Sequence, residues 1–249
     1  MKISIVTVAY NAVTTISATL RSVAAQTYPD IEHIVVDGGS KDGTVAIVER
    51  DGAHVGRFVS EPDHGIYDAM NKGIGLATGH LIGFLNADDI YAHPRVLEDV
   101  VKEMKSGNLD ALYGDVAFFR ADDPGRLVRR YSSARFSPAR IAWGWMPAHP
   151  ALFLKRDVFS RVGKFRTDYR IAGDFEFIAR AFHGDALRSR YVQAVFVHMQ
   201  TGGVSTGGWR NTLLLNREVL RACRENGIKT NTLKVLSKYP AKVLELIRR

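Results

Sequence analysis

The chain has a single cysteine, Cys223, in 249 residues. It can form no internal disulfide, and a cysteine-based zinc site is excluded. No apolar run approaches the roughly 20 residues that a spanning helix needs. The opening stretch MKISIVTVAYNA interrupts its short apolar run with Ser4 and Thr7, so it reads as a strand and not as a signal peptide. A cytoplasmic protein is expected. Several chemical signatures are also missing. Residues 8–13 read VAYNAV, without the Gly-x-Gly-x-x-Gly of a dinucleotide site, and no Gly-x-x-x-x-Gly-Lys-Ser/Thr phosphate loop occurs. The pair Asp63-His64 has no Gly-x-Ser-x-Gly elbow and no third partner, which removes a hydrolase dyad.

Negative charge is scarce at one end. Of the net charge of +8, residues 209–249 hold +7, with ten Lys/Arg against three acids. Everything before them is nearly neutral. A charge-rich helix is ordinarily a solvated face. Here the cations interleave with apolar residues at 213–215, 219–220, 235–236 and 243–247, as in helices that lie on anionic membranes. A peripheral contact with the inner face of the cell membrane is therefore expected for this basic amphipathic tail. No known nucleic-acid module is present, so no nucleic-acid partner is expected.

The remaining composition, 46% hydrophobic and 24% charged, is that of a globular protein with one large domain or a domain plus a small appendage. Residues 3–8 and 31–36 are near-continuous β-branched runs, the mark of strands buried on both faces. Helical spacing follows each, at 14–26 and at 45–50. A weak strand at 57–60, a helix at 66–77 interrupted by Gly73 and Gly75, and a strand at 81–85 complete a βαβαβ rhythm. That rhythm predicts a parallel sheet covered by helices. Later the pattern changes, with strands at 111–119, 127–131 and 191–198 and helices at 174–183 and 211–225. Residues 1–90 read as a nucleotide-binding half, 91–208 as the half that meets a second substrate, and 209–249 as the tail.

In a parallel sheet the ligand site lies beyond the carboxyl ends of the strands. Three polar clusters occupy such ends: Ala9-Tyr10-Asn11, Asp37-Gly38-Gly39-Ser40 and Asn86-Ala87-Asp88-Asp89. The second is good turn chemistry in its own right. The third is harder to explain as a turn, because one acid would cap where two neighbours repel each other. Carboxylates are hard ligands of the kind Mg²⁺ and Mn²⁺ prefer, often completed by substrate phosphates. Adjacent acids after a buried strand imply that a cation is expected there.

Taken in order, SIVTVAYN, VVDGGSKDGT, SEPDHGIYDAMNKGIGLATG, FLNADD and IAGDFEF resemble the family 2 glycosyltransferases with the GT-A fold. The similarity extends over residues 2–205 and is nearest to small bacterial enzymes that build exopolysaccharide, capsule or lipid-linked oligosaccharide. It implies an α/β fold with a GT-A-type mixed sheet flanked by helices over 1–208. It also implies inverting transfer of a sugar from a nucleotide-sugar donor, with UDP favoured, to a glycan or lipid-linked saccharide acceptor.

The resemblance implies that Thr7, Ala9, Tyr10 and Asp37 line the base pocket. Asp88 and Asp89 fall where the family binds ribose and a divalent metal, Mn²⁺ or Mg²⁺. Asn86 stands where a first acid is common; it can accept a ribose hydroxyl but brings no charge. Lys72 resembles a basic residue near the donor phosphates, and Asp174 matches the general base, with Glu176 as its fallback on the acceptor side. His149 resembles an acceptor-side histidine. His198 precedes the loop at 202–205, which resembles the family's segment over the diphosphate, and is a third metal or phosphate contact if it is not simply structural. Trp143 and Trp145 could stack on a sugar or belong to the core. Two other classes remain open. A metal-dependent sugar nucleotidyltransferase would carry a basic glycine-rich loop that residues 8–13 lack. A non-catalytic nucleotide-sugar-binding scaffold is disfavoured by the intact acids at 37, 88, 89 and 174.

Overall fold

The computed structural model describes residues 1–120, 123–184, 187–201, 208–237 and Tyr239. The loop expected over the diphosphate (202–205) and the end of the basic segment (240–249) lie outside the described residues. Four strands form a parallel set: β1 (Ile3–Ala9), β2 (Ile31–Asp37), β3 (Val55–Ser60) and β4 (Leu81–Phe84). β1 is buried along its whole length and β2 almost so, as β-branched runs sandwiched between helix layers must be. α1 (Ile16–Ala24), α2 (Thr44–Asp51) and α3 (Ile66–Leu76) are the crossovers. The glycines that were read as interrupting α3 do not break it. A Cβ at Gly73 would lie 2.3 Å from Val6 Cγ1, so the missing side chain is what lets α3 lie against β1.

The mixed part of the sheet is built by β5 (Asp89–Tyr91), β6 (Ala111–Arg120), β7 (Asp123–Tyr131), β8 (Leu152–Lys155) and β9 (Ser189–Gln200). The order is β3-β2-β1-β4-β8-β6-β9-β5, with β7 pairing the second half of β6. β8 runs antiparallel to β4 and β6, and β5 antiparallel to β9, while β6 and β9 are parallel. The mixed α/β sheet that the resemblance implied is therefore present. α4 (Val96–Ser106) was not among the expected elements, although Val96, Leu97, Val100, Val101 and Met104 recur at helical spacing and are all buried. α5 (Arg156–Val162) and α6 (Gly173–Gly184) follow β8.

The last two helices are α7 (Trp209–Glu225) and α8 (Thr232–Leu236). Val219, Ala222, Cys223, Ile228 and Val235 share one buried cluster with Val6, Phe84, Phe175 and Phe177. The apolar face of residues 209–236, within the described part of the expected tail, thus packs into the core of the sheet domain. Their cations face outward because the other face of α7 is committed to the core.

Candidate active site

The sheet reverses its chain order at β1, which lies between β2 and β4. A crevice opens at such a point beyond the carboxyl ends, and backbone bonds lace the three ends together. Gly38 N–H donates to Ala9 O (2.9 Å), Leu85 N–H to Val6 O (3.0 Å) and Ala87 N–H to Val8 O (3.2 Å). The Ala9–Asn11, Asp37–Ser40 and Asn86–Asp89 clusters are thereby neighbours. Tyr10 stands 67% exposed above them and offers an open aromatic face. Asp37 is fully buried and accepts from the N–H groups of Gly39 and Ser40 and from the hydroxyls of Ser40 and Ser60. Its carboxylate holds the turn in shape.

The adjacent acids stand in the environment that raised the question. Asp89 is buried, and its carboxyl is held well above the usual range by burial and then by the charge of Asp88. Burial also pushes Asp88 up. Asn86 Nδ2 donates to Asp89 Oδ2 at 3.2 Å, while Asn86 Oδ1 is buried without a hydrogen-bond partner. An unpaired buried acceptor beside two carboxyls with no ion pair among the described residues fits a hard cation and its phosphate ligands. Among the described residues no three His, Cys, Asp or Glu side chains converge as a preformed metal cluster. His198 pairs with Ile90 across β5 and β9, and Asp89 pairs with Met199. Because side chains alternate along a strand, His198 and Asp89 occupy opposite faces of that ladder. His198 is held below its usual value by burial and then by His93.

Asp174 lies in the first turn of α6, where the Phe175 N–H donates to its Oδ1 at 2.8 Å. The Tyr67 hydroxyl donates to Ile171 O at 2.7 Å and lies 3.4 Å from the same Oδ1. Burial pushes the Asp174 carboxyl up to about 6, against the pull of these hydrogen bonds. Tyr67 belongs to α3, and the segment leading into α3 returns to the strand ends. A Cβ at Gly38 would lie 2.3 Å from Asp63 Oδ2 and 3.3 Å from the Tyr10 ring. Asp63 and Tyr67 thus connect the crevice to Asp174 through four residues of chain.

Other expected residues are placed differently. Thr7 is fully buried with its hydroxyl 3.0 Å from His33 Nε2, while Ala9 ends β1 at the crevice. Lys72 binds Glu61 (2.9 Å), Asp68 (3.8 Å) and Pro62 O (2.9 Å), which keeps it beside the segment that leaves β3. His149 stacks on Phe84 with centroids 5.2 Å apart and meets Phe165 edge-on at 5.7 Å; burial pushes it down to about 4. It is a neutral core histidine behind the end of β4. Glu176 is buried in a two-pronged pair with Arg180, both contacts 3.0 Å, and is thus part of the helix packing. Trp145 is buried, whereas Trp143 is 43% exposed with Lys234 over its ring.

The sequence reading passed over three residues. Asp63 was weighed only as a dyad partner, although SEPD directly follows a strand. Tyr67 falls in the helix expected at 66–77 with no role attached to it. Glu218 enters the sequence only as one of three acids among ten cations, yet it is buried and accepts three backbone hydrogen bonds from residues 170–172.

Comparison with known proteins gives this geometry a family. Residues 4–166 match the profile of glycosyl transferase family 2. A PGL/p-HBAD biosynthesis glycosyltransferase of Mycobacterium bovis is 32% identical over 207 residues, covering 81% of this chain and 78% of that protein. An uncharacterised glycosyltransferase of Mycobacterium tuberculosis is 36% identical over 182 residues, covering 72% and 68%. Among solved structures, S. aureus TarS superposes with a TM-score of 0.68 at 20% identity over 88% of this chain, which spans only 39% of that protein. TarS 1–349 in complex with UDP-GlcNAc gives 0.68 at 19% identity, covering 89% and 66%. The mannosyltransferase PcManGT from Pyrobaculum calidifontis, in complex with GDP-Man and Mn²⁺, gives 0.63 at 20% identity, covering 88% and 64%. At these identities the structural likeness speaks for the fold alone.

Proposed function

The chain belongs to glycosyl transferase family 2, and on that premise we propose that it is an inverting enzyme. It moves a sugar from a nucleoside-diphosphate sugar, UDP favoured, to a hydroxyl of a glycan or lipid-linked acceptor. The observation that carries this reading is Asp174, a half-buried carboxyl in a first helical turn whose value desolvation raises to about 6. At pH 7 such a group is mostly ionised, yet it is about a hundredfold stronger a base than an ordinary aspartate. The acceptor hydroxyl gives its proton to Asp174 as its oxygen bonds the anomeric carbon. The bond from that carbon to the phosphate oxygen breaks, and the nucleoside diphosphate leaves with the electron pair.

The donor's base rests on Tyr10 and Ala9 at the crevice, with the turn held by Asp37 beneath it. Asp88 and Asp89, with Asn86 Oδ1, would hold a divalent cation. When bound, that ion supplies charge to balance the diphosphate. TarS in complex with UDP-GlcNAc and PcManGT in complex with GDP-Man and Mn²⁺ support a donor of this class. The outward face of α7 and α8 combines Trp209 (73% exposed), Leu213 and Leu233 (80% exposed) with the exposed Arg210, Arg217 and Arg224. That combination suits an anionic membrane surface carrying a lipid-linked acceptor.

Asp174→Asn is expected to abolish transfer while leaving donor binding intact, and retained turnover would remove Asp174 as the base. A thermal-shift panel of UDP, GDP, dTDP and ATP with and without Mn²⁺ tests the donor site, since ligands of the folded state raise its stability with affinity. One diphosphate should stabilise the protein, and more so with Mn²⁺. A response to none of them would leave only a scaffold. Co-sedimentation with anionic liposomes tests the outer face, where charge reversal at Arg210, Arg217 and Arg224 should release the protein.

A further inference from the structure

We infer that Glu218 positions the catalytic base, gripping from α7 the backbone of the loop that delivers Asp174 to the head of α6. This rests on Asp174 being the base. Glu218 Oε1 accepts from Arg170 N–H at 2.8 Å, and Oε2 accepts from Ile171 N–H at 2.9 Å and Ala172 N–H at 2.8 Å. Three consecutive amides converge on one carboxylate, forty-six to forty-eight residues away in the chain. Among the described residues Glu218 makes no ion pair and is only 7% exposed. A buried anion held by backbone amides alone is costly to place unless its geometry is used. The packing of α7 on α6 does not need it, because Val219, Ala222 and Cys223 supply the apolar contact.

The loop is held from its other side as well. Tyr67 donates to Ile171 O, and its ring would collide with any side chain at position 173, with a Cβ there 2.7 Å from Tyr67 Cε2. Glu218 takes the N–H groups, Tyr67 takes the carbonyl, and Gly173 lets the ring close over the helix start. Asp174 therefore leaves a loop held by hydrogen bonds from both sides. The titratable groups that face Asp174 are Tyr67 from α3 and Glu218 from α7, and the charge of Glu218 adds to the upward push on Asp174.

Two substitutions separate grip from charge. Glu218→Gln keeps the shape but replaces one accepting oxygen with a donor and removes the charge. Glu218→Asp keeps the charge but withdraws it by one methylene. With UDP-GlcNAc as probe and water or a sugar alcohol as acceptor, UDP release is expected to fall about 10- to 100-fold in kcat in Glu218→Gln. UDP affinity by calorimetry should change less than twofold, and the acidic limb of the kcat profile should move to lower pH. Glu218→Asp should also lower kcat but leave the limb where it is. A Glu218→Gln protein that only melts earlier, with kcat and limb unchanged, overturns the inference. Asp174→Asn measured alongside separates the two claims: turnover retained there refutes the base, whereas turnover lost there with an unmoved limb in Glu218→Gln refutes Glu218 alone. A readout without turnover stands beside these. Asp174→Asn should stabilise the Glu218→Gln protein at pH 7.5 less than it stabilises the parent, and equal stabilisation overturns the coupling.

Discussion

Removing the charge of Asp174 should make the protein more stable while it makes it inactive. The carboxyl rises from 3.8 to about 6 on folding because it is desolvated, with the Phe175 N–H, the Tyr67 hydroxyl and its own backbone N–H in partial compensation. A folded value above the unfolded one means that the folded state holds its proton more tightly. Stability from this group therefore falls as pH rises from about 4 to 6, and the whole penalty is present above that. At 1.36 kcal/mol per pH unit the penalty at pH 7.5 is about 3 kcal/mol at most. Asparagine keeps an oxygen for both donors and carries no charge. Asp174→Asn should thus raise the unfolding free energy by about 1–3 kcal/mol at pH 7.5 and by well under 1 kcal/mol at pH 4. Urea titrations at the two pH values, with equal m-values, measure the difference. A gain of equal size at both pH values, or a loss at pH 7.5, would refute the claim that Asp174 is a desolvated anion only partly offset by hydrogen bonds.

His149 should act in the opposite sense: held near 4 by burial, it withholds a proton that the unfolded chain takes up below 6.5. Its share of stability is intact above 6.5 and is lost as pH falls toward 4, about 2 kcal/mol by pH 5. His149→Phe, stacked between Phe84 and Phe165, should flatten the loss between pH 7.5 and 5, and an unchanged slope in urea unfolding would refute this. Gly73→Ala should destabilise by roughly 1–3 kcal/mol through overlap with Val6, despite the better helix propensity of alanine. Val6→Ala should restore most of that loss in the double variant, and simple additivity in thermal melts would mean that the contact is not the cause.

The parallel half of the sheet was legible because each strand carries its own signal. Residues 3–8 and 31–36 are β-branched throughout, and each runs into a glycine-bearing or Asn-bearing turn. The strand ends named the crevice for the same reason. What could not be read locally depends on partners far along the chain. β5 is three residues long and exists because β9 presents an edge to it. The opposite placement of His198 and Asp89 follows from that register, which no motif encodes. Charge counting made residues 209–249 a tail, because ten cations outweighed the apolar positions 219, 222, 223 and 235 that seat the helices in the core. Glu218 has no local signature, since its three bonds reach to residues 170–172. Glu176, which does lie in a recognisable segment, is claimed by Arg180 four residues on in the same helix.

The two acidic centres share one electrostatic problem and resolve it differently. Asp89 is buried and Asp88 beside it is half-buried; burial raises both carboxyls, and the charge of Asp88 raises Asp89 further. A proton could relieve only one of them at a time, and Asn86 Oδ1 would still lack a donor or a cation. A divalent ion with a diphosphate behind it, as proposed, would answer all three groups at once. Asp174 is single, and Tyr67 and the Phe175 N–H supply only enough hydrogen bonding to leave it near 6. It needs no outside charge. In the proposed reaction it takes a proton, which the acceptor hydroxyl would release. If Asp174 is the base, as proposed, the destabilisation that desolvation imposes on it is the same quantity as its strength as a base. A substitution that improves its solvation, such as an arginine brought within reach, would stabilise the fold and weaken the chemistry together.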